Sequence, residues 1–419
     1  MRRRILFVGN GVTLAHICRP LQLAKGLDSR HYEVHFACDA RYRSMLASLV
    51  GQFHTIHTQD SHDFLAALAQ GRPPYSSATL CADAEEDLNL LDEVQPDLFV
   101  VDFRLFMRIA TTLRYIPYAT ITNTHWSLYF RGRYRLPGMP DLWPAHIIGA
   151  RRMAQLAEIF LPPMFGRYAW PMTQARRQFG LPTLGMRLQR VYAEADHVLY
   201  AEAEKMKTMD SVPKHHHFIG PIVWEPPIRL PYWWNALPVD CPLIYVSMGS
   251  SGSIDLLPAI VQGLADLPVC VVLSTAGSTT LQHLPDNAHS ADYLPGSRVT
   301  ALAALVIGNG GSMMHHQCLK VGVPMLAIPS NMDQQMTIAP FVARNAVREL
   351  RLASVSPASI RDSVIKMLSS SRYFESSKAI SHVLASYDPA ERFASFLNTL
   401  FGANSAPLAA THNTVNAKK

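Results

Sequence analysis

The chain lacks any apolar run of the roughly 18 residues that a membrane-spanning helix needs. Its opening, MRRRILFVGNG, is basic, but the apolar stretch from Ile5 to Val8 is far too short for a secretory leader and runs straight into Gly-Asn-Gly. A first buried strand and a cytoplasmic protein are expected. Charge is also scarce: 17% of the residues are charged against 48% hydrophobic, which excludes a disordered chain and describes a packed globular one. Cysteine offers no framework. The six (Cys18, Cys38, Cys81, Cys241, Cys270, Cys318) are scattered, with no two at zinc-ligand or redox-motif spacing, so buried free thiols are expected. No acidic cluster resembles the Asp-x-Asp that holds a divalent ion, and neither metal nor cofactor is expected. A basic helix and an arginine-plus-aromatic platform are missing too. Nucleic acid is therefore not an expected partner, although a net charge of +6 suits anionic ligands or an acidic membrane surface. His215, His216 and His217 are consecutive and cannot all face one ion on a regular element, so an exposed turn before a strand is expected there.

What the chain does have is alternation. Short apolar runs and helix-period segments follow one another throughout, the pattern of parallel α/β units. Strands are predicted at 4–8, 32–38, 53–57, 97–102 and 117–122, and again at 242–247, 268–273, 304–308 and 324–328. Helices are predicted at 14–27, 40–50, 83–94 and 104–115, then at 254–266, 312–321, 334–344 and 357–369. Between the two series, GPIVWEPPIRLPYWWNALPVDCP (220–242) is crowded with prolines, each of which fixes φ and removes a backbone donor. A chain of 419 residues is too long for one core. The expected fold is α/β, with two facing doubly wound, Rossmann-like domains and a cleft between them. The first is expected over 1–225 and the second over 241–385, with the linker at 226–240. A C-terminal helix at 386–403 is expected to pack back on the first domain, followed by a disordered tail at 404–419. In such sheets ligands bind beyond the carboxyl ends of the strands.

Four short stretches carry candidate chemistry. VIGNGGSMMHHQ (306–317) leads an apolar strand through Asn309, Gly310 and Gly311 into a helix at Ser312. Unpaired amides and the positive end of the helix dipole suit a phosphate there, and the same residues suit a plain strand-to-helix turn. VGVPMLAIPSNMDQ (321–334) ends in Asp333 and Gln334, which either grip a polyhydroxylated ligand or cap a helix. DYLPGSRVTALA (292–303) puts Tyr293 ahead of a helix, where its ring could stack a base. YVSMGSSGS (245–253) ends a strand in Gly249, Ser250 and Ser251, a second phosphate-type turn.

In this order the motifs resemble the donor-binding half of the family-one nucleotide-sugar glycosyltransferases, which have the two-domain GT-B fold. The resemblance covers most of residues 240–350. It implies that Tyr293 stands where a tryptophan stacks the base, and that Gly310, Gly311 and Ser312 line the diphosphate with Ser250. It places Gln317 at a glutamate that holds the ribose hydroxyls, and Asp333 with Gln334 at the pair that grips the sugar. Asn309 stands where the family has a histidine beside the diphosphate; it can donate one neutral hydrogen bond but cannot become a cation. Gly296 replaces the glutamine that follows the proline. These departures imply a weakened, altered or absent donor preference.

In the first half, GNGVTLAHICRPLQLAKGL (9–27) follows the first strand, and His16 matches the family's catalytic histidine, although the family's spacing to the following proline is one residue shorter than His16 to Pro20. A neutral imidazole suits removal of an acceptor proton during inverting attack, and Asp102 matches the aspartate that orients it. A first-turn histidine can equally pack or cap, and a strand-ending aspartate can cap. Residues 123–172 are rich in aromatic residues, Met, Pro and Arg. They are expected to wall an apolar acceptor pocket, with His125, Trp126 and Tyr129 as acceptor contacts, while Arg131, Arg133, Arg135, Arg151 and Arg152 suit peripheral membrane contact or an anionic acceptor. The expected activity is inverting, metal-independent transfer of a sugar from a UDP- or dTDP-sugar to a hydroxyl of an apolar small molecule or lipid. The alternatives are an epimerase or hydrolase on the same fold, or an idle binding subunit that assists a partner enzyme.

Overall fold

The computed structural model describes residues 2–134, 150–249, 251–277, 281 and 283–402; the tail expected at 404–419 lies outside them. Seven parallel strands build a first sheet: β1 (Arg3–Gly9), β2 (Tyr32–Cys38), β3 (Gln52–Thr55), β4 (Leu98–Asp102), β5 (Tyr118–Thr122), β6 (His197–Tyr200) and β7 (His216–Phe218). Their spatial order is β3-β2-β1-β4-β5-β6-β7. Helices α1 (Leu14–Lys25), α2 (Ser61–Ala69), α3 (Ser77–Val94), α4 (Met107–Arg114), α5 (Ala150–Gln178) and α6 (Leu188–Ala193) accompany it. The central strands read as unbroken apolar runs because helices cover both faces; β4, LFVVD, is buried at every position.

Six further parallel strands form a second sheet: β8 (Leu243–Ser247), β9 (Cys270–Ser274), β10 (Ala288–Ala291), β11 (Leu305–Gly308), β12 (Met325–Ala327) and β13 (Val347–Glu349). Their order is β10-β9-β8-β11-β12-β13. With them come α7 (Leu257–Leu264), α8 (Gly296–Leu302), α9 (Ser312–Val321), α10 (Met332–Ala343), α11 (Pro357–Leu368) and α12 (Ser371–Leu384). In each sheet the strand order reverses between two neighbours, β1 and β4 in one and β8 and β11 in the other. There the loops part to opposite faces and leave a crevice. The final helix, α13 (Pro389–Phe401), returns to the first sheet, where Phe393, Phe396 and Leu397 join the core of Ile5, Phe7 and Leu21.

Several local expectations need correction. The helix expected at 40–50 is a 3-10 segment, Ala40–Leu46, started by Asp39 accepting from the Arg41 amide. The helix expected from 83 begins at Ser77, capped by Ser76. Strands β6, β10 and β13 are too short or too polar to show as apolar runs. Of the histidine triplet, His215 lies in the exposed turn expected before a strand, but His216 and His217 belong to the strand itself, pairing with Val198 and Leu199 in edge strand β7, and burial pushes both imidazoles down to about 4. The proline-rich stretch holds a 3-10 turn, Tyr232–Ala236, whose Trp233 and Trp234 pack on the core of the second sheet.

Candidate active site

At the first crevice, Gly9 at the end of β1 lies in register with Asp102 at the end of β4. This brings the first turn of α1 over the carboxylate. His16 Nδ1 is 2.7 Å from Asp102 Oδ1, and its ring stacks on Phe103 with centroids 4.5 Å apart. Asp102 is 0% exposed. A carboxylate only accepts, and Asp102 at 2.7 Å is nearer to Nδ1 than Arg19 Nη2 at 3.3 Å, so the Nδ1 proton points at Asp102 and a neutral ring carries its lone pair on Nε2. Neither residue is a cap: the α1 N-cap is Thr13. Sequence reasoning missed Arg19, one helical turn beyond His16. It grips both oxygens of Asp102, at 2.6 and 2.7 Å, and donates from Nη1 to Asn123 at 2.9 Å. The available signal was an arginine on the otherwise apolar inner face of α1.

At the second crevice, Ser247 at the end of β8 lies in register with Gly308 at the end of β11. Asn309 ties the two loops together. Its Oδ1 accepts from the Gly311 amide at 2.9 Å, and its Nδ2 donates to Ser251 Oγ at 3.3 Å. Gly310 has φ of +75°, and a Cβ there would stand 2.8 Å from the Ile338 side chain, so only glycine serves. Helix α9 then starts at Ser312, behind Gly311, with no side-chain cap on its first amides. Those amides can meet an anion. Ser250, expected beside them, lies outside the described residues.

Tyr293 is 54% exposed, anchored by its hydroxyl donating to the Ala276 carbonyl at 3.0 Å, which leaves ring surface open. Gln317 is buried under the start of α8 and donates to the Trp224 carbonyl at 2.9 Å. A Cβ on Gly296 would come within 2.9 Å of Gln317 Oε1, so Gly296 and Gln317 fit as a pair. Gln334 is likewise buried. Its oxygen accepts from the Ser330 amide at 2.8 Å, and its Nε2 donates to the Ser251 carbonyl at 3.1 Å, which makes it a brace between loops.

Asp333 is not the helix cap; Asn331 is, accepting from the Gln334 amide. The Asp333 carboxylate reaches across the cleft instead. Its Oδ1 lies 2.8 Å from His125 Nε2 and 2.8 Å from Trp126 Nε1. Burial works to raise this carboxyl, but the N–H groups of His125 and Trp126 and the Lys207 ammonium hold it well below the usual carboxylate range. Thus His125 and Trp126, expected as acceptor contacts, meet the residue expected to grip the donor sugar. Tyr129 lies elsewhere, its ring edge-on to His216 at 5.2 Å. The aromatic rings beside His16 form a packed cluster of Phe64, Tyr75, Phe103, Phe106, Trp126, Phe165 and Tyr192, with Met332 of the second domain packed against it; only Trp126 and Phe165 come from residues 123–172, where the wall was expected. Among the described residues, the group with metal-ligand spacing is Asp60, His62 and Asp63, exposed at the start of α2.

Two facing α/β domains, with a histidine–aspartate dyad at one crevice and a glycine turn at the other, define a GT-B nucleotide-sugar glycosyltransferase. Residues 253–397 match the family described as erythromycin biosynthesis protein CIII-like, C-terminal domain. Over 379 residues the chain is 39% identical to a PGL/p-HBAD biosynthesis glycosyltransferase of Mycobacterium tuberculosis, covering 90% of this chain and 88% of that one. Over 372 residues it is 40% identical to a PGL/p-HBAD biosynthesis rhamnosyltransferase of Mycobacterium bovis, covering 89% and 82% respectively. Among solved structures, a spinosyn rhamnosyltransferase complexed with thymidine diphosphate is similar at a TM-score of 0.68 and 16% identity, over 95% of this chain and 99% of that one. The chain belongs to the family-one-like nucleotide-sugar glycosyltransferases.

Proposed function

We propose that the protein is an inverting, metal-independent glycosyltransferase that moves a sugar from a UDP- or dTDP-sugar to a hydroxyl of an apolar, lipid-like acceptor of the PGL/p-HBAD kind. The observation that carries this is the His16–Asp102 dyad beside an aromatic wall, with Asp333 reaching the same cleft from the other domain. His16 Nε2 takes the acceptor proton as the oxygen attacks the anomeric carbon, and Asp102 stabilises the imidazolium that forms. The amides at the start of α9 receive charge developing on the leaving diphosphate, the task a divalent ion performs elsewhere. The names of the relatives support a lipid-like acceptor, and the thymidine diphosphate in the similar structure supports a dTDP-type donor.

No described helix is long and apolar enough to cross a membrane. Exposed Ile159 and Trp170 on α5, with the Arg177 guanidinium over the Trp170 ring, suit peripheral contact with the cytoplasmic membrane face. The test is incubation with UDP-glucose or dTDP-rhamnose and a panel of long-chain alcohols and phenols. Acceptor-dependent release of UDP or dTDP with an inverted anomeric centre is expected. Release of free sugar without an acceptor overturns it in favour of a hydrolase, and nucleotide binding without turnover in favour of an idle subunit.

A further inference from the structure

Lys207 and Glu202 are buried on the loop that follows β6, their charged atoms 2.6 Å apart. A buried ion pair adds little net stability, because desolvation offsets its attraction. Its position asks for another account. Lys207 Nζ lies 2.7 Å from His125 Nδ1. An ammonium can only donate, so Nδ1 holds the lone pair and the ring proton sits on Nε2. That N–H is the one aimed at Asp333 Oδ1, beside the N–H of Trp126, whose indole is held by stacking on Tyr192 with centroids 4.3 Å apart. Glu202 is fixed in turn by the Thr124 amide, at 2.7 Å, one residue before His125. The loop is keyed to the second domain as well: Arg344, just past α10, donates to the carbonyls of Lys205 and Met206.

Resting on the donor assignment made above, we propose that Lys207, held by Glu202, is a positioning residue for recognition of the donor sugar. It keeps His125 neutral, with the lone pair on Nδ1 and the proton on Nε2, so that the first domain presents two N–H donors to one oxygen of the Asp333 carboxylate. The carboxylate, fixed in this way and 43% exposed, is left to accept from a sugar hydroxyl. A sugar that is deoxy at that carbon forgoes this charge-assisted hydrogen bond and is disfavoured. With the other tautomer, the lone pair of Nε2 would face the carboxylate and repel it.

The test is the pair of variants Lys207→Met and Glu202→Gln/Lys207→Met; the double variant carries no uncompensated buried charge and keeps the shape. KM for the nucleotide sugar should rise about tenfold or more, the loss expected of a charge-assisted contact, while the Kd of free UDP or dTDP stays within about twofold. In protein labelled with 15N-histidine, the His125 ring of both variants should keep its Nε2 proton and take up a second on Nδ1 at a higher pH than wild type, giving an imidazolium that competes with the sugar for Asp333. An unchanged KM in the double variant, an unchanged His125 titration, or loss of UDP and sugar-nucleotide binding in parallel would each overturn the role of Lys207. Failure of the wild-type protein to bind UDP or dTDP and to turn over any nucleotide sugar would instead overturn the donor assignment itself.

Discussion

Arg19 and Asp102 form a two-pronged pair, Nε to Oδ2 at 2.6 Å and Nη2 to Oδ1 at 2.7 Å, inside the first domain. The oxygen that Arg19 holds through Nη2 is also the one facing His16. The imidazole proposed as the base is therefore aimed by a carboxylate held from two sides, and its removal should be felt in the step in which a proton moves.

His16→Ala should depress kcat for transfer by roughly 10²–10⁴, with nucleotide-sugar affinity almost unchanged because the proposed donor contacts do not include His16. Asp102→Asn should lose less. A nitrophenol already ionised at the assay pH needs no base, so its glycosylation should be far less sensitive to His16→Ala. An ordinary alcohol glycosylated by His16→Ala at the wild-type rate would remove His16 from the mechanism.

Tyr293→Ala should weaken UDP or dTDP binding by roughly 1–3 kcal/mol, the worth of one stacked base. Calorimetric titration of the nucleotide alone reads this directly. Undiminished affinity would take the ring out of the site.

Asp333→Asn should impair nucleotide-sugar turnover about 10- to 100-fold and leave free UDP affinity near wild type, since UDP carries no sugar to grip. Gln334→Ala should behave differently. Because its amide braces Ser330 and Ser251, losing it should lower stability by roughly 1–3 kcal/mol and weaken nucleotide and nucleotide sugar together.

Acid should destabilise the fold in two stages. Burial lowers His316, His216 and His217 from 6.5 to about 4, and lowers His125 and His315 as well. The unfolded chain therefore binds protons first as pH falls below 6.5, and stability present above that pH is lost progressively toward pH 4. His316, wholly enclosed, contributes roughly 3 kcal/mol across this window. For Glu202, burial opposes ionisation but the Lys207 ammonium and the hydrogen bond from Thr124 hold the carboxyl at about 2, so its contribution is lost only as pH falls from 4.5 through 2. Thermal melts in steps from pH 7.5 to 4 should show Tm falling from about pH 6.5; a flat Tm from pH 7 to 5 would contradict the burial of these rings.

The alternation of apolar runs made the fold class readable, because parallel strands covered on both faces must be apolar throughout. Edge strands β7 and β10 escaped notice because HHF and AHSA need no such runs. The ordered glycine, proline and acid motifs could be read locally. Their partners could not: Ser251 lies 58 residues before Asn309, and His125 lies 208 residues before Asp333. Nothing near Lys207 in the sequence hints at a buried cation. Its meaning arises only where the β6 loop, the segment after β5 and the first turn of α10 converge.

The return of α13 to the first sheet bears on the order of events during synthesis. Phe393 is 0% exposed in a core whose other members lie within the first 222 residues, apart from its α13 neighbours. A nascent chain holding only the first domain leaves that apolar face of β1 and α1 uncovered, open to chaperones or to premature pairing. Cutting the chain after Leu384 should therefore sensitise β1 and α1 to protease while the second sheet stays protected. The domain made first is the one finished last.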